Sequence, residues 1–179
     1  MTSVHVPRFL LLPLMALLAV APTSAFAAGP QMTIQPVNQT YMLPVLSAFC
    51  GVPIQKHVEG TLRIATYYDQ AGQVSKVVIT KQGPMSITLT NLSTGKVLSS
   101  NSAGSEHITY ENGQLVSDAS NGLYESINVP GLGQVFVEVG RIVFDAQGNI
   151  VFEVGEHDIV DFNVTGTFQP TALCQALAS

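Results

Sequence analysis

The chain has no tryptophan, only two cysteines, and charged side chains at just 11% of its 179 residues. It also lacks any run of basic residues, so nothing in it can neutralise a row of phosphates, which excludes nucleic acid as a partner. The histidines beyond the leader, His57, His107 and His157, follow no H-x-H or H-E-x-x-H spacing. The two cysteines have no nearby partners for a zinc site, and no metal or cofactor is expected. A G-x-S-x-G elbow is missing, which argues against a hydrolase triad of that type. "PGLGQ" at 130–134 shares glycines with a dinucleotide fingerprint but lacks the helix pattern that must follow. Past residue 20 no apolar stretch approaches membrane length, so no spanning segment is expected.

What is present begins with a leader. Arg8 precedes an apolar run, Phe9 to Val20, broken only by Pro13, and Ala25 and Ala27 form an A-x-A cleavage pattern. Residues 1–27 are read as a signal peptide, and the product as exported and free of the membrane. Without the leader, six basic residues stand against twelve acidic ones, a net charge of −6. Cys50 and Cys174 then lie near opposite ends of the remaining chain. In an oxidising compartment such a pair forms a disulfide.

Turn signals recur about every ten residues: "DQAG", "STG", "ENG", "SNG", "PGLG" and "DAQG". Between them lie short runs rich in Val, Ile, Thr, Tyr and Phe, such as "TLRIATYY", "VSKVVITK", "MSITLTNL" and "QVFVEVGRIVF". This spacing predicts an all-β antiparallel meander of about eight short strands, forming a barrel or a sandwich over residues 61–179. Residues 28–60 hold four prolines and little alternation. They are expected to form an extended N-terminal arm tied down by the disulfide. Helix is expected only at "TALCQALAS".

"YDQAGQV" and "FDAQGNI" share one turn device, in which Asp opens a type I turn and Gly supplies the left-handed bulge residue. The second turn pairs Asp145 with Asn149. Continued outward, that register sets Phe144 opposite Ile150, Ile142 opposite Phe152 and Arg141 opposite Glu153. Side chains alternate along strands, so Ile142, Phe144, Ile150, Phe152 and Val154 are expected on one core face. Farther out the same register sets Glu138 against Glu156, beside His157 and Asp158. These residues are candidates for acid–base work or cation binding, weighed against a solvated strand end where carboxylates cost little. On the second view, replacing both glutamates by glutamine leaves stability unchanged or slightly raised.

With "AFCG" near its start, "NLSTGKVLSS" and "VGRIVFDAQGNIVFEVG" within, and "LCQALA" at its close, the chain resembles a group of uncharacterised secreted bacterial β-proteins. The resemblance implies export and a bond between the two ends, and it carries no activity. Eight-stranded barrels of the lipocalin and allene oxide cyclase type are similar in size and strand count, although the Gly-x-Trp opening of lipocalins is missing. The sequence is best read as a secreted, non-catalytic binding or interaction module, whose most concrete form holds a small apolar molecule in a barrel interior lined by Ile142, Phe144, Ile150 and Phe152. The alternative is a barrel-type isomerase or cyclase using Glu138 and Glu156.

Overall fold

The structure, a computed structural model, describes residues 29–178, so the expected signal peptide lies outside the described residues. Among the described residues nine antiparallel strands form one sheet: β1 (Gln31–Met42), β2 (Ile54–Tyr68), β3 (Val74–Lys81), β4 (Met85–Asn91), β5 (Val97–Ser102), β6 (Ser105–Glu111), β7 (Gln114–Val129), β8 (Gly133–Asp145) and β9 (Ile150–His157). The hydrogen-bonded path runs β5-β4-β2-β3-β6-β7-β8-β9, with β1 on the remaining edge of β2. The length of β2 makes this branching possible. Its first half pairs with β4 and its second half with β3, while β1 follows the other edge from Gln55 to Thr66.

The all-β expectation holds, but the sheet does not close, and a barrel is not supported. Strand β5 approaches β7 where the N–H groups of Ala103 and Gly104 donate to Leu123 O, both at 2.8 Å. Ser126 N–H also donates to Ser100 Oγ at 2.9 Å. Among the described residues no ladder joins those two strands.

Residues 31–42 are a paired edge strand. Pro36 fits there because an edge strand has one side without ladder bonds. The boundary expected at residue 60 falls inside β2. Between β1 and β2 the chain makes a short helix, α1 (Pro44–Cys50), opened by a proline at its first turn and closed by Gly51 in the left-handed region. Two further helices follow the sheet, α2 (Asp158–Val160) and α3 (Thr171–Ala178), with a π-helical turn at Asp161–Thr165 between them. Of these, only α3 coincides with the helix expected from sequence. Among the described residues no helix is long and apolar enough to cross a membrane.

The core sits at one end of the sheet. Ile54, Leu89, Leu98, Ile127, Val135 and Phe136 pack there against Leu173, Ala176 and Leu177 of α3. Asn91 is fully buried beneath that helix, and its amide donates to Leu177 O at 3.0 Å. Cys50 and Cys174 are bonded across 124 residues, fixing α1 to α3. In the chain-entropy model a loop of that length restricts the unfolded state by about 5 kcal/mol.

Candidate functional site

Both aromatic–Asp–x–x–Gly turns form as read from sequence. Asp69 N–H donates to Gln73 O at 2.8 Å and Asp145 N–H to Asn149 O at 2.9 Å. Each aspartate Oδ1 also accepts two backbone N–H groups within its turn. Phe144 pairs with Ile150 as expected, but the register then shifts by one. Val151 is the extra residue of a bulge, so Val143 faces Phe152, Ile142 faces Glu153 and Arg141 faces Val154. A one-residue shift moves every later side chain to the opposite face. The Arg141–Glu153 pair is therefore corrected to Arg141–Val154, with the Arg141 guanidinium 5.7 Å from the Phe152 ring centre.

The same shift divides the expected ligand-lining set. Ile142 is buried and Phe144 and Ile150 are half-buried. Phe152 lies on the opposite face and is 50% exposed, as is Val154 at 57%. None of Ile142, Phe144, Ile150 or Phe152 borders either cavity described below.

The shift also changes the opponent of Glu138 from Glu156 to His157. Gly140 and Gly155 face each other just inside this pair, at φ of +129° and +120°. A Cβ added at Gly140 would lie 2.1 Å from Val154 O, so only glycine allows the strands this close approach. Beyond it, Glu138 Oε1 meets His157 Nδ1 at 2.6 Å, and Glu138 Oε2 accepts the Ile159 N–H at 2.9 Å. His157 Nε2 donates to Val154 O at 3.2 Å. Both ring nitrogens thus face acceptors, which suits a protonated imidazole. Burial alone would lower the His157 pKa. The Glu138 hydrogen bond, the Val154 carbonyl and the nearby carboxylate charges together hold it above its ordinary value.

Glu156 pairs with Val139 and is exposed. It borders a cavity of about 270 Å³ whose lining is mixed, with Asp158, Gln134 and Gln169 beside Val135, Val137 and Phe168. Burial raises the Asp158 carboxyl against the Val137 N–H bond that lowers it, and Glu156, Glu138 and Asp161 add to the rise. The expected trio therefore separates: Glu138 and His157 form a buried lock at the end of β9, and Glu156 stands apart. The other histidines, His57 on β2 and His107 on β6, do not join them.

A second cavity, of about 180 Å³, lies at the disulfide end and was not foreseen. Leu43, Pro44, Val45 and Leu46 make one wall, and Ile159, Phe162 and Asn163 make another. Pro170 and Leu173 from the α3 side and Leu89 and Phe136 from the sheet complete the apolar lining. Lys56 and Glu125 are its charged residues. They come from strands that are not neighbours, and Lys56 Nζ reaches Glu125 Oε2 at 2.5 Å, the side chains being 14% and 2% exposed. Glu125 Oε1 is buried and has no hydrogen-bond partner among the described residues.

The sequence carried a signal for the burial of each residue, though not for their meeting. Lys56 lies between Ile54 and Val58, and Glu125 lies two places before Ile127, so each charge sits in an apolar phase of its strand. A third polar group was equally unforeseen. Lys81 Nζ sits 3.8 Å from the centre of the Tyr124 ring, near Glu106 and Asp118. Burial raises Glu106 to about 7, helped by the charge and hydrogen bond of Asp118, and burial lowers Lys81 to about 8 against the attraction of Glu106. Neither described cavity is lined by these residues.

Among the described residues no three His, Cys, Asp or Glu side chains converge as metal ligands. Compared with protein-family models, curated proteins and solved structures, the chain matches none.

Proposed function

We propose that this chain is an exported β-domain that binds a small, largely apolar ligand between α1, the turn following β9, and α3. The observation that carries the reading is the cavity of about 180 Å³ with its aliphatic and aromatic walls. A dry cavity of about 150 Å³ is enough to take up benzene, so a ligand of one ring or an equivalent alkyl group is the right size. The disulfide supports the same reading in two ways. It is consistent with an oxidising compartment, and it links α1 to α3, which supply two walls of the cleft.

Acid–base catalysis by Glu138 and Glu156 is less well supported. Both oxygens of Glu138 are engaged, by His157 and by the Ile159 N–H, and Glu156 is not beside it.

Because the chain has no tryptophan, a Phe162→Trp variant excited at a wavelength that tyrosine does not absorb reports from the cleft alone. Titration with p-xylene is expected to change that emission and to raise the melting temperature of the wild type, since a ligand that prefers the folded state stabilises it. Filling the cleft with Leu46→Phe is expected to remove the melting shift. No emission change and no shift with p-xylene would defeat the proposal.

A further inference from the structure

Resting on that reading, we infer that the ligand is a neutral alcohol or phenol whose hydroxyl donates to Glu125 Oε1 while its apolar body fills the cleft. An apolar cavity needs no charge, and a carboxylate brought to its lining is costly unless every oxygen is satisfied. Glu125 is 2% exposed, and Lys56 occupies only Oε2. Oε1 remains buried without a donor among the described residues. Glu125 is one of the residues lining the cavity, and a carboxylate with an unmet acceptor at a pocket wall is the kind of polar group that fixes the orientation of a small ligand in an otherwise apolar site.

The charge of the pair selects the kind of donor. Lys56 and Glu125 neutralise each other at 2.5 Å. A second ammonium on Glu125 would leave a net positive charge in an apolar site, and a carboxylate ligand would face Glu125 with the same sign. A hydroxyl supplies the missing donor without adding charge. Pure hydrocarbons fit the walls but leave Oε1 as it is. Size points the same way, because about 180 Å³ accommodates one substituted ring.

The test compares p-cresol with p-xylene and with 4-methylbenzylamine, by calorimetric titration of the oxidised protein. The first two differ only in a hydroxyl for a methyl group. The p-cresol is expected to bind about ten- to a hundredfold more tightly, as a hydrogen bond to a charged acceptor implies. In the double variant Lys56→Met with Glu125→Gln the two are expected to bind within about threefold of each other, because the charged acceptor is gone. Circular dichroism establishes that the variant is folded, and the wild-type comparison decides the matter if it is not. Equal binding of p-cresol and p-xylene to the wild type overturns the hydroxyl inference and leaves the apolar pocket standing. Tightest binding of the amine overturns the neutral-donor inference in the same way. Failure of all three to bind overturns the pocket itself.

Discussion

Glu138→Gln separates a buried lock from a solvated strand end, and the two predict effects of different size. The Glu138 and His157 side chains are 9% and 3% exposed, and one carboxylate accepts from two donors, His157 Nδ1 at 2.6 Å and the Ile159 N–H at 2.9 Å. Glutamine offers one acceptor oxygen to those two donors and turns an N–H group toward the other. A lost hydrogen bond to a charged group costs about 1.5–3 kcal/mol, and stripping a buried charge of its partner costs about 3–5 kcal/mol. The expected loss is therefore about 3 kcal/mol at pH 6. With a urea dependence of about 2 kcal/mol/M, the unfolding midpoint falls by about 1.5 M. Glu156→Gln is the control. That residue is exposed, and its replacement is expected to change stability by less than about 0.5 kcal/mol.

Acidity gives a second readout of the same lock. The folded His157 pKa lies above its ordinary value, so its contribution is fully present below about 6.5 and is lost as pH rises through the folded pKa. Neutral imidazole has one N–H for two facing acceptors, Glu138 and the Val154 carbonyl. The gap between wild type and Glu138→Gln is expected to narrow as pH rises above 6.5. Equal urea midpoints for the two glutamine variants, or a gap that widens with pH, would refute the reasoning.

The Gly140–Gly155 crossing should tolerate no side chain. Gly140→Ala places a methyl group against Val154 O at φ +129°, and thermal melting is expected to show a loss of about 3 kcal/mol or more. Removing the disulfide with Cys50→Ala and Cys174→Ala is expected to cost up to about 5 kcal/mol in urea unfolding. Intact mass under non-reducing conditions should show no free thiol in the wild type, since both cysteines are bonded.

Local chemistry made much of the fold legible. The Asp and Gly of each aromatic–Asp–x–x–Gly turn set their own hydrogen bonds within five residues, so those turns and the pairing of Phe144 with Ile150 followed from the sequence alone. The strand-rich class followed from the spacing of β-prone runs and turns, and the Cys50–Cys174 bond from there being only two cysteines.

What the sequence could not settle depended on counting residues across a bulge or on contacts between distant strands. One extra residue at Val151 leaves no local mark, yet it exchanges the faces of Phe152 and Glu153 and gives Glu138 a histidine in place of a glutamate. Lys56 and Glu125 are 69 residues apart and meet because their strands are brought together across the interior, which no local pattern encodes. The branching of β2 and the open path from β5 to β9 are likewise properties of the whole sheet. The sequence by itself determined the turns, the β class and the covalent tie, each a matter of short-range geometry or of composition. Register, closure and the position of the cleft were decided only by tertiary structure, because they are set by which faces find partners when all the strands pack together.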